Sequence, residues 1–362
     1  MNTLNSALFS SISFRGLELK NRIMVSPMCQ YSAADGCMTD WHLMHLGQLS
    51  VSGAGILMTE MTNVEPVGRI SPNCLGLYSD DNETAAKKVI DSCDKFGKIP
   101  VGVQLAHAGR KASTKPPWDD RKYISSDEGG WQPVGPSAIA SSDRSPKPRE
   151  LTPGEISGLV DAFAQSAERA RRIGFAAIEI HAAHGYLLHQ FLSPLSNQRS
   201  DHYGGSLENR MRFPLEVFAA VREQWPDSKP IDVRISATDW VSGGWDIGDS
   251  VEFARELKAL GCDWIDVSSG GLVQHLDVVA KPGYQVPLAA QIRHRAKIPT
   301  IAVGLITQAA QAEEIIRSKS ADVVALARTM LYNPRWPWHA AKELGASIEY
   351  PQQYLRCLPV FA

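Results

Sequence analysis

The chain has 362 residues, of which 44% are hydrophobic and 21% are charged, as in ordinary soluble globular proteins. Lys and Arg total 37 against 39 Asp and Glu, so the chain lacks the basic excess that nucleic-acid binding needs. No apolar run is long enough to cross a bilayer, the N-terminus lacks a signal-peptide pattern, and the six cysteines form no C-x-x-C pair, so we expect a cytoplasmic protein with reduced thiols and no iron–sulfur cluster.

Apolar, β-branched runs alternate with longer amphipathic stretches along the chain. Eight such runs predict strands, at residues 22–28, 55–62, 99–109, 176–183, 231–237, 263–270, 300–304 and 322–328. Residues 156–174 and 251–261 have a helical pattern, and the second stretch ends on Gly261. This alternation predicts an α/β fold, a single (β/α)8 TIM barrel over residues 1–362. The alternative is a doubly wound sheet, but the Gly-rich turn expected after its first strand is missing.

Residues 110–150 interrupt the alternation of strands and helices. They are rich in Pro, Gly, Ser and Trp, and a loop of this length in a compact domain is usually functional or disordered. Because the segment follows the third predicted strand, it would lie at the C-terminal mouth of the barrel. We interpret it as a lid over a site, and the alternative is a surface excursion without function.

Polar residues collect where the predicted strands end, which is where barrels carry their catalytic groups. Gly304 and Arg328, together with the glycines of SSGG (268–271), match the phosphate site common in such barrels. Gln104 and Arg234 would then face whatever is attached to the phosphate. Carboxylates are sparse among these strand ends, so the sequence predicts no metal site.

The stretch EIHAAHGYLLHQF (179–191) contains His181, His184 and Tyr186. Residues three apart on a strand face opposite sides, so the two histidines can share a target only if the chain leaves the strand at 182–183 and begins a helical turn. Metal ligation lacks a third partner and the glutamate of a zincin helix. Either they are core histidines, or they are paired N–H donors to a developing oxyanion, with Tyr186 as a proton donor or as a packing residue.

Several stretches together resemble the flavin-dependent old yellow enzymes, most closely their xenobiotic-reductase or thermophilic-like subclass. The stretches are SPMCQYSA (26–33), QLAHAGRKA (104–112), EIHAAHGYLLHQFLSPLSNQRSDHYGGSLENRMRF (179–213), VRISATDW (233–240), DVSSGG (266–271) and ALARTMLYNP (325–334). The resemblance covers nearly the whole chain and keeps the family order. It implies a barrel with bound FMN, which NADPH or NADH reduces before an enone, nitro or quinone-like compound is reduced in the same site.

The resemblance also implies roles for individual residues. His181 and His184 look like the pair that binds the activating carbonyl oxygen, Tyr186 like the proton donor, Tyr31 like a substrate-pocket tyrosine, and Cys29 like the cysteine that tunes the flavin potential. Where the family often has alanine after the glutamate of the second strand, this chain has a methionine. The implied flavin contacts are Ser26, Pro27, Met28, Cys29, Met61, Gln104, Arg234, Gly304, Ala327 and Arg328.

The C-terminal tail, residues 346–362, resembles that of relatives whose arginine enters a neighbouring subunit's site. Arg356 is the candidate for this role, and a homodimer or homotetramer is then expected; a disordered tail is the alternative. Two other functions stay open. A flavin-binding redox sensor would use Cys29 and reduce no alkene, and a flavin-free, phosphate-binding aldolase or isomerase would need a lysine or carboxylate at a strand end, where the sequence places neither.

Overall fold

A computed structural model describes residues 6–274 and 278–357, and its central feature is a closed barrel of eight parallel strands. Two antiparallel strands precede the barrel, and two further short strands lie within the 110–150 segment. In chain order the strands are β1 (Ile12–Phe14), β2 (Leu17–Leu19), β3 (Ile23–Val25), β4 (Ile56–Asn63), β5 (Val101–Ala106), β6 (Val134–Gly135), β7 (Arg149–Glu150), β8 (Ile178–Ala182), β9 (Ile231–Ser236), β10 (Trp264–Ser268), β11 (Thr300–Ala302) and β12 (Val323–Leu326).

The barrel closes where β12 pairs with β3, and its strand order is β3-β4-β5-β8-β9-β10-β11-β12. All eight predicted strands are present, so the (β/α)8 prediction is confirmed. The strands are buried along their whole length, because helices cover the outer face of a parallel sheet while side chains fill the interior.

Helices connect successive strands and pack around the barrel. They are α1 (Asp40–Ser50), α2 (Asp80–Phe96), α3 (Pro153–Ile173), α4 (Leu187–Leu192), α5 (Leu207–Gln224), α6 (Ile247–Ala259), α7 (Val286–Ala296), α8 (Ala309–Arg317), α9 (Arg328–Tyr332) and α10 (Trp336–Glu343). The predicted helical stretches correspond to α3 and α6. A capping box between Thr152 and Glu155, with Pro153 in the first turn, starts α3, while Gly261 lies just beyond the end of α6 with φ +95°.

The N-terminal hairpin of β1 and β2 packs against interior residues of the barrel. Phe14 lies with its ring centroid 4.3 Å from that of Trp264, the first residue of β10. These two residues belong to a buried apolar cluster with Met24, Ile56 and other residues from the strand beginnings. Because this end of the barrel is apolar and filled, polar chemistry is confined to the opposite end, where the strands finish.

The 110–150 segment is ordered by short elements of its own rather than by a long helix or strand. A 3₁₀ helix at Gly109–Lys111 leads into it, two more lie at Pro117–Asp119 and Ser126–Glu128, and it ends in the parallel pair of β6 and β7. No helix within residues 6–274 and 278–357 combines the length and apolar character needed to span a bilayer.

Candidate active site

The predicted histidine pair and tyrosine come together just beyond β8. The ring centroid of His181 lies 5.1 Å from that of His184 and 5.1 Å from that of Tyr186. The strand ends at Ala182, as the sequence predicted, but the expected helical turn does not follow. Instead His184 and Gly185 adopt left-handed conformations, with φ of +58° and +71°, and α4 begins only after Tyr186. This left-handed turn, rather than a helix, brings the three rings together.

His184 is a non-glycine residue in a left-handed conformation, and its surroundings hold it there. Its backbone N–H donates to the hydroxyl of Ser236 at 2.9 Å, and its Nε2 lies 2.7 Å from the hydroxyl of Ser268. Gly271 packs directly against it, because a Cβ at that position would lie 2.7 Å from the His184 Cα. The ends of β9 and β10 therefore position the second histidine.

Burial decides the charge of this group of side chains. It lowers the pKa of His181 and His184 well below the usual histidine value, and the positive charge of Arg234 lowers both further. Burial also raises the pKa of Tyr186, so this phenol keeps its proton at neutral pH. The Nδ1 of His181 is buried and has no hydrogen-bond partner among the described residues. The site thus presents neutral N–H and O–H groups, as oxyanion stabilisation and proton donation require.

The segment after β3 forms an apolar wall beside Tyr186. Cys29 and Tyr31 pack with Tyr186 against a buried cluster that includes Met61 and Cys74. Burial raises the pKa of the Cys29 thiol well above its usual value, so this cysteine is a thiol and not a thiolate at neutral pH. Met61 is itself buried in β4, opposite Gln104 of β5. The predicted flavin contacts Ser26, Pro27 and Met28 precede Cys29 in this segment.

A buried carboxylate that sequence reasoning missed anchors this wall to β4. Glu60 accepts the backbone N–H of Gln30 at 2.9 Å, and its other oxygen lies 3.1 Å from Nε2 of His42 in α1. Both side chains are buried. The strand-two glutamate therefore holds the Cys29–Tyr31 segment in place, although its sequence context gave no sign of this contact.

Gln104 on β5 and Arg234 on β9 lie on either side of β8, and each is supported by a buried carboxylate. The amide of Gln104 donates to Glu179 at 2.6 Å, and Arg234 forms an ion pair with Asp266 at 3.2 Å. Asp232 pairs with Glu179 across β8 and β9 and is also fully buried. The expectation of sparse carboxylates holds for the strand ends but misses these three, which lie one layer deeper in the barrel.

This carboxyl cluster, Glu179, Asp232 and Asp266, cannot be fully ionised beside one guanidinium. Burial and the neighbouring Asp266 raise the pKa of Glu179 to about 7. Burial and the charge of Glu179 raise the pKa of Asp232 well above the usual carboxyl value, so Asp232 is protonated. The sequence did contain a sign that two of these carboxylates face the barrel interior. Glu179 and Asp232 each stand two residues before a predicted site residue, and residues two apart on a strand share a face. Within the described residues no group of His, Cys, Asp or Glu has the arrangement of a metal site.

The predicted phosphate binders meet at the ends of β11 and β12. Gly304, Ala327 and Arg328 line a cavity of about 160 Å³. Gly304 has φ +126°, a conformation that only glycine adopts readily, and a Cβ there would lie 3.0 Å from the side chain of Gln285. The Arg328 guanidinium is not ion-paired to any described residue. A phosphate group suits this cradle, and the Ser26 hydroxyl, which is buried and has no hydrogen-bond partner among the described residues, leaves a polar atom for the rest of an FMN.

The structure does not place Arg356 with the other candidate residues. It is exposed in the 3₁₀ helix Gln352–Cys357, and the same helix contacts α10 through Tyr354, whose ring centroid lies 6.0 Å from that of Trp338. The guanidinium of Arg335 lies 5.4 Å from the Tyr354 ring. Entry of Arg356 into a neighbouring subunit's site therefore stays a prediction.

Comparison with known proteins gives the same family over almost the whole chain. The model of the NADH:flavin oxidoreductase / NADH oxidase family matches residues 7–346. The chain is 46% identical to an NADPH dehydrogenase of Geobacillus thermodenitrificans over 356 residues, covering 98% of this chain and 99% of that protein. It is also 46% identical to an NADPH dehydrogenase of Listeria monocytogenes serotype 4b over 353 residues, with 97% and 99% covered.

Among solved structures, morphinone reductase superposes with a TM-score of 0.80 at 28% identity, covering 97% of this chain and 93% of that one. The closed barrel, the phosphate cradle and the polar interior agree with these matches. The chain belongs to the NADH:flavin oxidoreductase / NADH oxidase family, as an old yellow enzyme-like oxidoreductase that uses FMN and NAD(P)H.

Proposed function

We propose that this enzyme reduces activated C=C bonds of α,β-unsaturated carbonyl compounds and related electron-poor molecules. The observation that carries the proposal is the convergence of His181, His184 and Tyr186. The ring centroid of His181 lies 5.1 Å from that of each of the other two, and burial keeps both histidines neutral. Two N–H donors and one phenol in contact are the groups that polarise a carbonyl and protonate the adjacent carbon.

Bound FMN would supply the hydride chemistry of this reaction, with the nicotinamide as hydride donor and the β-carbon of the alkene as acceptor. His181 and His184 donate hydrogen bonds to the carbonyl oxygen and stabilise the negative charge that develops there. Removal of a single donor of this kind typically costs about 10²–10³ in rate. Tyr186 gives its proton to the α-carbon, and Arg234 would place its positive charge beside the bound flavin. Ser26, Pro27, Met28, Met61 and Gln104 would hold the flavin ring, and Gly304, Ala327 and Arg328 its phosphate.

The experiment is an anaerobic visible spectrum of the flavin through one catalytic cycle. We expect NADPH to bleach the yellow absorbance and 2-cyclohexenone to restore it. A His181→Ala/His184→Ala variant should still bind FMN and be bleached by NADPH but should not be reoxidised by the enone. His202→Ala, which removes an exposed histidine elsewhere, serves as the control. Reoxidation of the double variant at the parental rate would show that the histidines are not the donors.

The flavin-free aldolase or isomerase is wrong, because the family is FMN-dependent. The redox-sensor alternative relies on a reactive Cys29, and the raised pKa of this thiol speaks against one. At pH 7 Cys29 should be alkylated by iodoacetamide more slowly than an exposed cysteine, as measured by mass spectrometry of the holoenzyme. Alkylation as fast as that of free cysteine would revive the sensor hypothesis.

The proposed enzyme is a cytoplasmic homodimer or homotetramer with small-molecule enone, nitro or quinone-like substrates. In support, Arg356 is exposed and forms no ion pair with any described residue, which leaves it available to a neighbouring subunit. Analytical ultracentrifugation should give a dimer or tetramer mass, and Arg356→Ala should weaken enone binding without releasing FMN. A monomer with full activity would contradict this assignment.

A further inference from the structure

A polar cavity opens beside Tyr186, away from the phosphate cradle at β11 and β12. Its volume is about 480 Å³, and most of its lining comes from the 110–150 segment. Four cationic side chains line it, Lys111, Arg121, Lys122 and Arg144, against one carboxylate, Asp120. The cavity therefore carries an excess of positive charge directly next to the proposed proton donor.

These four cations lie together without a counter-ion among the described residues. None of the four forms an ion pair with any residue in 6–274 or 278–357, whereas Arg149, close by in the same segment, binds Glu155 at 2.8 Å. Like charges gathered around one cavity repel each other, and a bound anion relieves that repulsion. The net positive charge of the lining thus favours an anionic occupant.

Lys111 links this cavity to the catalytic groups. Its ammonium donates to the backbone oxygens of His184 at 2.8 Å and Gly271 at 2.9 Å, which leaves one N–H for a ligand. The same nitrogen lies 5.2 Å from the Tyr186 ring centroid. Burial, followed by the charges of Arg121 and Arg110, lowers the pKa of Lys111 to about 8. An anion bound here would therefore touch the edge of the reaction site.

The turn that carries Arg121 is well defined. Asp120 and Arg121 have φ of +56° and +50°, and the backbone on either side is tied by Lys115 N–H to the oxygen of Lys122 at 2.8 Å and by Ile124 N–H to the oxygen of Ser113 at 2.7 Å. Ser113 is fully buried beneath the turn. The guanidinium thus extends from a fixed base, which reduces the entropy lost when it binds a ligand.

We propose that this cavity is the phosphate subsite of the nicotinamide cofactor, in which Arg121 and Arg144 bind phosphate oxygens. The nicotinamide ring has to reach the flavin beside Tyr186, and this cavity adjoins Tyr186 and has room for the phosphorylated part of the molecule. Guanidinium groups bind phosphate oxygens in pairs, which gives both affinity and orientation. The phosphate concerned is either the 2′-phosphate, present only in NADPH, or the pyrophosphate shared with NADH.

The test is anaerobic stopped-flow reduction of the holoenzyme by NADPH and by NADH, with the Kd of each read from the concentration dependence of the rate. Arg121→Ala/Arg144→Ala should raise the Kd for NADPH by about tenfold to hundredfold, the usual cost of losing charge-assisted hydrogen bonds. Lys88→Ala, which removes an exposed cation on α2, is the matched control. Inorganic phosphate should compete with NADPH in the parent and much less in the double variant.

The two nucleotides separate the possible phosphates. An unchanged Kd for NADH assigns the cations to the 2′-phosphate, and an equal rise for both assigns them to the pyrophosphate; either result supports the subsite. Unchanged Kd values for both nucleotides overturn it, as does a loss confined to a carboxylate-bearing enone, which would make the cavity a substrate subsite. Because flavin reduction is measured without an alkene, failure of this proposal is distinct from failure of the proposed ene-reductase activity.

Discussion

Replacement of Ser268 by alanine tests how His184 is prepared to bind substrate. The Ser268 hydroxyl lies 2.7 Å from His184 Nε2 and 3.4 Å from the Gln285 side-chain oxygen, and we expect its single proton to take the shorter contact, to the imidazole. We predict that Nε2 then accepts and that the neutral His184 ring carries its proton on Nδ1. Ser268 therefore selects the tautomer that can donate to a carbonyl oxygen.

The size of the effect follows from the burial of this pair. Loss of the hydroxyl leaves a buried ring nitrogen without its partner, at a cost of about 1–3 kcal/mol. If the whole of this free energy is added to the activation barrier for flavin reoxidation by an enone, the rate constant drops by about 5- to 150-fold, since 1.4 kcal/mol corresponds to a factor of ten. Flavin reduction by NADPH should change little, because no carbonyl is polarised in that step.

The assay is single-turnover reoxidation of the NADPH-reduced enzyme by 2-cyclohexenone, with flavin content checked by its absorbance. Ser269→Ala is the matched control, because the Ser269 hydroxyl bonds the same Gln285 oxygen at 2.6 Å but does not contact the histidine. A normal enone rate in Ser268→Ala, or equal losses in both variants, would refute the assignment of the tautomer to Ser268.

Three further predictions concern neighbouring features. Tyr186→Phe should slow reoxidation by an enone by about 10²–10⁴ but leave reduction by NADPH unchanged, and equal slowing of both half-reactions would contradict the proton-donor role. Burial lowers the pKa of His45 to about 4, so its stabilising contribution is present above pH 6.5 and is lost as pH falls below it. The free energy of unfolding in urea should thus fall by about 2 kcal/mol more between pH 8 and pH 5 in the parent than in His45→Gln, and parallel profiles would show that His45 does not titrate this way. Gly271→Ala should weaken enone binding and destabilise the fold more than Gly205→Ala, because both have positive φ but only the first Cβ meets the backbone of His184, and equal melting temperatures would refute the clash.

Much of the fold was predictable because local sequence carries its physical basis. Short β-branched runs separated by amphipathic stretches predict eight strands and their helices, since burial on both faces selects apolar residues and a helix selects a 3.6-residue period. The catalytic motif was visible for a similar reason, because His181, His184 and Tyr186 lie within six residues of each other. Their resemblance to a known family added the cofactor, which the periodicity alone did not name.

The tertiary structure alone decided how these residues act. The left-handed turn at His184 depends on Ser236, Ser268 and Gly271, all more than fifty residues away in sequence, and no local pattern links them. Likewise the carboxylates beneath Gln104 and Arg234 come from three different strands, and only the folding of the 110–150 segment gathers the unpaired cations around the cavity beside Tyr186. Barrel closure sets these distances, and with them the burial that keeps the histidines neutral and the tyrosine protonated.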